Sequence, residues 1–263
     1  MRPLIHLHIL ASGSKGNATL VEGPEGMVLI DCGISNRQLQ LRAKELDVGL
    51  EHVSAAIFTH EHSDHVNGLP VFAKRYSGPL YATKGTISGR GSLAHLPFVP
   101  LAHDDELTVA GMRIRTFPTS HDVADPFGLH FTVEDAGGTV LDSVGWCTDT
   151  GILTKRALEE LHGCRVLGLE ANHDVRMLAT GPYPSYLKAR VGGTRGHLSN
   201  DQCAEALRTL VTADTTTVVA LHISEKNNLP SVAKAALSQA VPDDVEVLVA
   251  GQNRPMSDLG FRS

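Results

Sequence analysis

The densest group of side chains that could bind a metal lies in the segment HEHSDH at positions 60–65. His60 and His62 alternate along an extended segment that follows an apolar run. Asp64 and His65 lie where a helix is expected to begin. Imidazole and carboxylate groups together suit divalent cations such as zinc, manganese or iron, and this spacing offers two separate ligand sets. It predicts a site for two neighbouring cations rather than a surface loop that is merely rich in histidine.

A metal site needs more ligands than one short segment offers, so single histidines and aspartates at the ends of later strands become candidates. Three such residues follow predicted strands: His121, Asp149 and His222. Taken alone, each is typical of a turn or of an ordinary hydrogen-bonded polar residue. Taken together, in order and at strand ends, they complete a site.

The composition supports a globular protein with a continuous core, because 42% of the residues are hydrophobic and 20% are charged. Nothing marks a seam, so residues 1–263 are taken as one domain. The formal net charge of -6 argues against a surface coated in basic residues, and any nucleic-acid binding must therefore be local. Histidine is the compositional outlier with 14 residues.

The expected compartment is the cytoplasm. The 4 cysteines are far apart and form no CxxC pair, which is typical of free thiols in a reducing environment. The N-terminal apolar run is too short and too polar for a secretory signal, and no stretch reaches membrane-spanning length. No membrane partner is expected, and the oligomeric state is left open.

Short β-rich segments alternate with helical patterns along the whole chain. Helices are expected to start at Ser35, Asp64, Thr154, Ser199 and Pro230, where capping residues or proline precede apolar periodicity. This alternation suggests an α/β protein in which two sheets pack face to face with helices outside.

Three segments carry further expectations about local structure. The helix that opens at Asp64 is expected to run toward Tyr76. Residues 85–103 and 171–196 have weak periodicity and many Gly, Pro, Arg and Lys residues, so they are candidate substrate loops.

The signature HxHxDH, matched in full at positions 60–65, resembles that of the metallo-β-lactamase fold superfamily, and the resemblance covers essentially the whole chain. It implies an α/β fold, classed as α+β in some schemes, built as a four-layer αββα sandwich that holds two divalent metal ions (Zn, Mn or Fe). One ion would be held by His60, His62 and His121, the second by Asp64, His65 and His222, with Asp149 bridging them. Asp31 matches a buried aspartate that steadies the ligand loop, although an ordinary strand-end turn explains it equally well.

The C-terminal third is similar to tRNase Z-like phosphodiesterases, in which a glutamate and a histidine beside the metals assist proton transfer. Glu170 and His197 match those positions. No counterpart of the long insertion that grips tRNA is evident, which disfavours tRNA processing. Loop segments such as SGSKGN at 12–17 and GHLSN at 196–200 resemble still more the YycJ/WalJ-type subfamily, described as DNA exonucleases.

The resemblance implies a dinuclear-metal-dependent phosphodiesterase, with DNA as the expected partner and substrate. Two cations would share a bridging hydroxide aimed at the phosphorus atom. His197, oriented by Glu170 or Asp64, is the candidate general acid for the departing alkoxide.

Substrate contacts are the least specific expectation, because charged residues on loops are usually only solvated. The candidates that could touch the phosphate backbone are Lys15, His173, Arg176, Lys188, Arg190, Arg195 and Lys226. Tyr183 and Tyr186 could stack on bases or simply pack their loop. Contacts to phosphate position a strand without reading its sequence, so low sequence specificity is expected.

Two alternatives remain at this point. The first is a metallohydrolase that acts on a small cyclic phosphodiester, thioester or lactone, since a fold does not fix a substrate. The second is a diiron redox protein or a non-catalytic module. A redox role would call for a ligand set richer in carboxylates, and a non-catalytic module would be expected to have lost ligands.

Overall fold

The computed structural model describes residues 3–258, and within them two seven-stranded sheets form the centre of the molecule. The first sheet has the order β14-β1-β2-β3-β4-β5-β6, and the second has the order β13-β12-β11-β10-β9-β8-β7. The strands of the first sheet are β1 (His6–Ala11), β2 (Ala18–Gly23), β3 (Gly26–Ile30), β4 (Val53–Ile57), β5 (Leu80–Thr83), β6 (Phe98–Leu101) and β14 (Met256–Ser257). Those of the second are β7 (Glu106–Val109), β8 (Met112–Pro118), β9 (Phe127–Glu134), β10 (Val140–Cys147), β11 (Val166–Glu170), β12 (Thr217–Leu221) and β13 (Glu246–Val249).

Each sheet is antiparallel on one side and parallel on the other. In the first sheet, β14, β1, β2 and β3 pair antiparallel and β3 to β6 pair parallel. In the second, β7 to β10 pair antiparallel and β10 to β13 pair parallel. The carboxyl ends of parallel strands lie at one edge of a sheet, so the loops that follow β4, β10, β11 and β12 are available to build a shared site.

Three apolar clusters show how the layers pack. Val28 and Ile30 of β3 face the core between the sheets, whereas Leu29 between them faces the outer cluster of the first sheet. In the same way Val219 of β12 faces the inner core and Val218 faces the outer cluster of the second sheet. This period of two, with both faces buried, is typical of strands covered by helices.

The helices cover the outer faces of both sheets and thereby complete four layers, as predicted. They are α1 (Asn36–Glu45), α2 (Ser63–Val66), α3 (Leu69–Phe72), α4 (Lys84–Gly89), α5 (Lys155–Leu161), α6 (Val175–Thr180), α7 (Ser185–Val191), α8 (Asn200–Leu210) and α9 (Pro230–Ser238). The starts of α1, α5 and α8 are confirmed, because the side chains of Ser35, Thr154 and Ser199 accept backbone hydrogen bonds at the N-termini. Pro230 begins α9.

The single helix expected from Asp64 toward Tyr76 is wrong. Two short helices, α2 and α3, occupy this segment instead. The break is at Gly68, whose N–H donates to the carbonyl of Cys32 at 2.8 Å. A β-carbon on Gly68 would lie 1.9 Å from the carbonyl oxygen of Ile34, so the backbone packs directly on the loop after β3. The N–H of Gly68 therefore bonds to that loop instead of to the carbonyl of Asp64, which accepts from Asn17.

The segment at residues 85–103, expected to be a substrate loop, consists in part of regular structure. This segment contains most of α4 and the edge strand β6, and none of its described residues lines the cavity introduced below. Strand β6 is short and contains Pro100, which is tolerated because β6 lies at the edge of its sheet. The proline also obscures the alternation of apolar and polar residues by which a strand is recognised in a sequence. Within residues 3–258 the structure contains no helix of the length and apolarity that crossing a membrane requires.

Candidate metal centre and active site

Asp31, directly after β3, organises the HEHSDH segment. Its backbone has a φ of +59°, an uncommon conformation for a residue with a side chain. One carboxylate oxygen accepts the N–H of Thr59 at 2.8 Å, and the other accepts the hydroxyl of Thr59 at 2.9 Å and Nδ1–H of His65 at 2.7 Å. This arrangement holds both ends of the segment and points the opposite nitrogen of His65 away from Asp31.

Three later strand ends bring the other expected ligands to the same place. His121 follows β8, Asp149 follows β10 and His222 follows β12. Asp149 and His222 have φ angles of +54° and +53°. Such a conformation costs about 1–3 kcal/mol per residue and persists where the surrounding structure imposes it, which is common at functional sites.

The predicted ligands converge at one end of the sandwich. In four overlapping groups, one possible ligand atom from each residue lies within 4.8 Å of the others: His60, His62 and His121; His60, His65 and Asp149; Asp64, His65 and His222; and Asp149, Glu170, His197 and His222. All seven ligands expected from the sequence therefore occur in one cluster.

The hydrogen bonds of the imidazoles fit a cation. His121 donates through Nδ1 to the carbonyl of Gly196 at 2.9 Å, so its Nε2 carries a lone pair. His60 Nδ1 lies 3.1 Å from the hydroxyl of Thr59, while its Nε2 is buried and has no hydrogen-bond partner among residues 3–258. A buried nitrogen without a partner is costly, and a bound divalent cation would satisfy it.

The charges in the cluster also fit a cation. Burial, reinforced by His65, lowers the pKa of His60 well below its usual value, so this imidazole is neutral and free to ligate. Burial opposes protonation of His65, but the carboxylates of Asp149 and Asp31 raise its pKa well above the usual value. Asp149 itself is buried, and His222 and His65 hold its pKa low. Positive charge therefore stabilises these buried carboxylates, and either protons on the imidazoles or a bound cation can supply it.

A second feature lies beside this cluster, where Glu170 ends β11 with a fully buried side chain. Its Oε1 accepts Nδ1–H of His197 at 2.6 Å, and its Oε2 accepts the N–H groups of Thr150 at 2.9 Å and Leu198 at 3.2 Å. Burial lowers the pKa of His197, but the charge and hydrogen bond of Glu170 outweigh this and raise it to about 9. The two side chains therefore form a hydrogen-bonded pair directly beside the clustered candidate ligands.

The site opens into a cavity of about 300 Å³. Its walls come from the N-terminal loop, from the metal cluster and from the segment at 171–196, which was expected to contact the substrate. The lining residues include Ser14, Asp64, Tyr183, Leu187, Arg190 and His197. The 171–196 segment thus reaches the site through α7 and the short stretches on either side of it, whereas α6 lies outside the cavity lining.

The basic residues expected to contact substrate occupy different environments. Arg190 lines the cavity and binds Asp122 through Nε at 2.5 Å. Lys15 pairs with Glu225 at 2.6 Å beside Ser14. Two others donate to backbone carbonyls of the protein itself. Arg195 donates to the carbonyls of His121 and Val123, and Lys188 donates to the carbonyl of Ala179. The exposed side chains of Arg176 and Lys226 lie outside the cavity lining.

The remaining candidates differ in their exposure. His173 is buried, and its Nδ1 has no hydrogen-bond partner within residues 3–258. Burial lowers its pKa. Tyr183 lines the cavity, whereas Tyr186 is 75% exposed on α7. Of the two tyrosines, only Tyr183 is placed to touch a ligand in the cavity.

Two polar residues at the site were missed from the sequence. The side-chain amide of Asn17 lies 3.0 Å from Nε2 of His65, and its backbone N–H donates to the carbonyl of Asp64 at 2.7 Å. Asp122 approaches Nε2 of His121 to 3.5 Å. The position of Asn17 at the end of the SGSKGN segment, and of Asp122 next to His121, were the available signals.

Two packed mixed sheets with outer helices, together with clustered histidines and carboxylates at one end, define a metal-dependent hydrolase of the metallo-β-lactamase fold. The family described as "Beta-lactamase superfamily domain" matches residues 27–223, and the chain belongs to this family.

Relatives of similar length support this assignment. The chain is 32% identical over 244 residues to "Exodeoxyribonuclease YycJ" of Bacillus anthracis, which covers 91% of this chain and 90% of that protein. It is 33% identical over 231 residues to "Exodeoxyribonuclease WalJ" of Streptococcus pneumoniae, covering 86% of this chain and 84% of that one. Its fold is similar to that of the metallo-β-lactamase fold protein YhfI from Bacillus subtilis, with a TM-score of 0.71, 14% identity and coverage of 97% and 100%.

Proposed function

We propose that the protein is a DNA exonuclease that hydrolyses phosphodiesters with two divalent cations. The observation that carries this proposal is the contact of 2.6 Å between Glu170 and His197, a proton-donating unit within the ligand cluster. Hydrolysis of a DNA phosphodiester expels an alkoxide, which needs a proton, whereas a thioester expels a thiolate, which leaves without one. The names of the two exodeoxyribonuclease relatives support the same substrate class.

The seven ligands divide into two sets in this proposal. One cation would be held by His60, His62 and His121 and the other by Asp64, His65 and His222, with Asp149 between them. Bound cations would supply Lewis acidity to the phosphate and lower the pKa of the attacking water. Asp31 keeps His65 in the tautomer that presents its inner nitrogen.

His197 is proposed as the general acid. Nδ1 is committed to Glu170, so the ring is oriented with Nε2 as the remaining donor, and the side chain lines the cavity beside Asp64. The buried carboxylate of Glu170 fixes the ring through a charge-assisted hydrogen bond and stabilises its protonated form. The chain thus provides a proton source on the same side of the cavity as the metal ligands.

The cavity walls suit a polyanion that is held without sequence readout. Arg190 and the neighbouring Lys15 can approach phosphates, and Tyr183 offers an aromatic face for a base. Arg190 pairs with Asp122, and Lys15 pairs with Glu225. Binding a phosphate would therefore exchange one anionic partner for another.

The proposal is tested with end-labelled single- and double-stranded DNA and RNA, incubated with the purified protein and a panel of Zn²⁺, Mn²⁺ and Fe²⁺. We expect release of labelled mononucleotides from DNA, with activity lost on chelation and lost in His62→Ala and His197→Ala. Both variants should keep the wild-type circular dichroism spectrum. Turnover of a generic aryl phosphodiester without any degradation of nucleic acid would refute the exonuclease and favour a small-molecule hydrolase, for which a cavity of about 300 Å³ is large enough.

A further inference from the structure

Three of the proposed ligand histidines have a ring nitrogen whose hydrogen-bonding partner lies outside the ligand set and fixes the ring. His60 uses Thr59, His65 uses Asp31 and His121 uses the carbonyl of Gly196. His222 differs, because its Nδ1 lies 2.9 Å from Asp149, which is itself a proposed ligand. Such partners select the tautomer and raise the basicity of a ligating imidazole.

His62 has no hydrogen-bonding partner outside the ligand set within residues 3–258. Its Nδ1 lies 3.2 Å from Nε2 of His121 and therefore faces the cluster, which makes Nε2 the outer nitrogen. Within the described part of the chain Nε2 makes no hydrogen bond, and the carboxylate that faces it is that of Asp122, with Oδ1 at 3.8 Å. The ring is 31% exposed, so packing alone restrains it less than the other rings.

Asp122 has a carboxylate oxygen that lacks a hydrogen-bond donor. Its Oδ2 accepts from Arg190 at 2.5 Å, whereas Oδ1 is buried and has no hydrogen-bond partner among residues 3–258. A buried carboxylate oxygen without a donor is costly by about 1–3 kcal/mol. The same oxygen lies between the outer nitrogen of His62 and Nε2 of His121, at 3.8 and 3.5 Å.

We propose that Asp122 is a positioning residue for the metal centre, whose Oδ1 accepts the Nε2–H of His62 and so leaves Nδ1 of that ring free to ligate. This inference rests on the metal centre of the proposed function. A small rotation of the exposed His62 ring brings the pair from 3.8 Å to hydrogen-bond distance. The contact satisfies the unpaired oxygen of Asp122 and gives His62 a partner outside the ligand set.

Arg190 gives Asp122 a second connection. Arg190 is on α7, and its side chain is 57% exposed at the cavity wall. Asp122 therefore joins the helix that lines the cavity to a ligand histidine. Arg190 contacts only Oδ2 of Asp122. Removing Arg190 should therefore leave Asp122 charged and its Oδ1 still directed toward His62.

The test measures cation binding in the full chain, after metal is stripped with a chelator, by competition with a metallochromic indicator for Zn²⁺ and Mn²⁺. We expect Asp122→Ala to weaken binding of one cation about 10–100-fold, the usual effect of removing such a partner. Asp122→Asn, which keeps an acceptor oxygen but no charge, should fall between Asp122→Ala and wild type. Arg190→Met should weaken binding less than Asp122→Ala.

The matched control is Asp125→Ala, an aspartate of the same loop whose carboxylate pairs with His103 and not with the cluster. It should bind both cations as wild type does. Circular dichroism and melting of the metal-free forms verify that all variants fold.

Wild-type cation affinity in Asp122→Ala would overturn the inference, as would equal losses in Asp122→Ala and Arg190→Met, which would assign Asp122 to holding α7 alone. Wild-type protein that binds no cation would overturn it together with the metal centre. Affinity that depends on Asp122, in a protein that does not degrade DNA, would support the inference and refute only the proposed substrate.

Discussion

Glu170→Gln isolates the proton-transfer role of the Glu170–His197 pair. The wild-type carboxylate accepts three hydrogen bonds, one from His197 and two from the backbone N–H groups of Thr150 and Leu198. A glutamine has nearly the same size, but its amide nitrogen cannot accept a hydrogen bond. Either His197 or the two backbone donors must lose their acceptor.

The expected magnitudes follow from these contacts. A buried donor that loses its partner costs about 1–3 kcal/mol, so the variant should remain folded with a lower midpoint of urea unfolding. Loss of the negative charge removes the main influence that raises the pKa of His197 to about 9, so less of the imidazole is protonated near neutral pH. General acids contribute about 10²–10⁴-fold, and kcat on DNA should fall by that factor.

The assay compares two leaving groups. Cleavage of DNA expels an alkoxide that needs a proton, whereas bis(p-nitrophenyl) phosphate expels a phenolate that leaves without one. Glu170→Gln and His197→Ala should therefore lose far more activity on DNA than on the nitrophenyl ester. Glu159→Gln, on the exposed face of α5, is the matched control and should resemble wild type. Equal losses on both substrates would refute the assignment of His197 as general acid.

Three further outcomes are expected. Gly33→Ala should destabilise the fold by about 1–3 kcal/mol or more, because the new β-carbon would lie 1.7 Å from the carbonyl oxygen of Asp64; an unchanged urea midpoint would contradict this. Chelation should lower the melting temperature measured by calorimetry. Adding the cation at about 100 times its dissociation constant should raise the free energy of unfolding by about 2.7 kcal/mol. A melting temperature that changes with neither addition would count against the metal centre. Burial opposes ionisation of Glu160, but His130 and Arg115 lower its pKa to about 2, so its stabilisation is complete above the usual value of 4.5 and is lost as pH falls toward about 2. The difference in unfolding free energy between wild type and Glu160→Gln should shrink across that window, and a constant difference would disprove the ion-pair contribution.

The cluster of candidate metal ligands could be predicted from the sequence because its signal is local. Four of them are in one segment of six residues, and the others directly follow strands whose apolar runs are easy to recognise. The starts of α1, α5 and α8 were predictable for the same reason, since a cap and its helix are adjacent in the chain.

Other features depended on residues far apart in sequence. The break between α2 and α3 arises because the backbone of Gly68 packs on and bonds to the loop at residues 32–34, which no pattern around position 68 reveals. Arg195 was expected to contact substrate, but it donates to the carbonyl of His121, 74 residues away. A basic side chain has the same appearance in a sequence whether it binds a phosphate or a carbonyl.

The HEHSDH segment and the later single candidate ligands were thus predictable from the sequence alone, because residue type and a position directly after an apolar run are enough to specify them. The pairing order of the strands and the edge strand β6 were not, because they depend on contacts between distant segments. Only the tertiary structure decided which nitrogen of each histidine faces the cluster, that Glu170 is buried against His197, and that Asp122 faces His62. These depend on loops from two sheets meeting at one edge, and the distances between such loops are set by packing rather than by spacing along the chain.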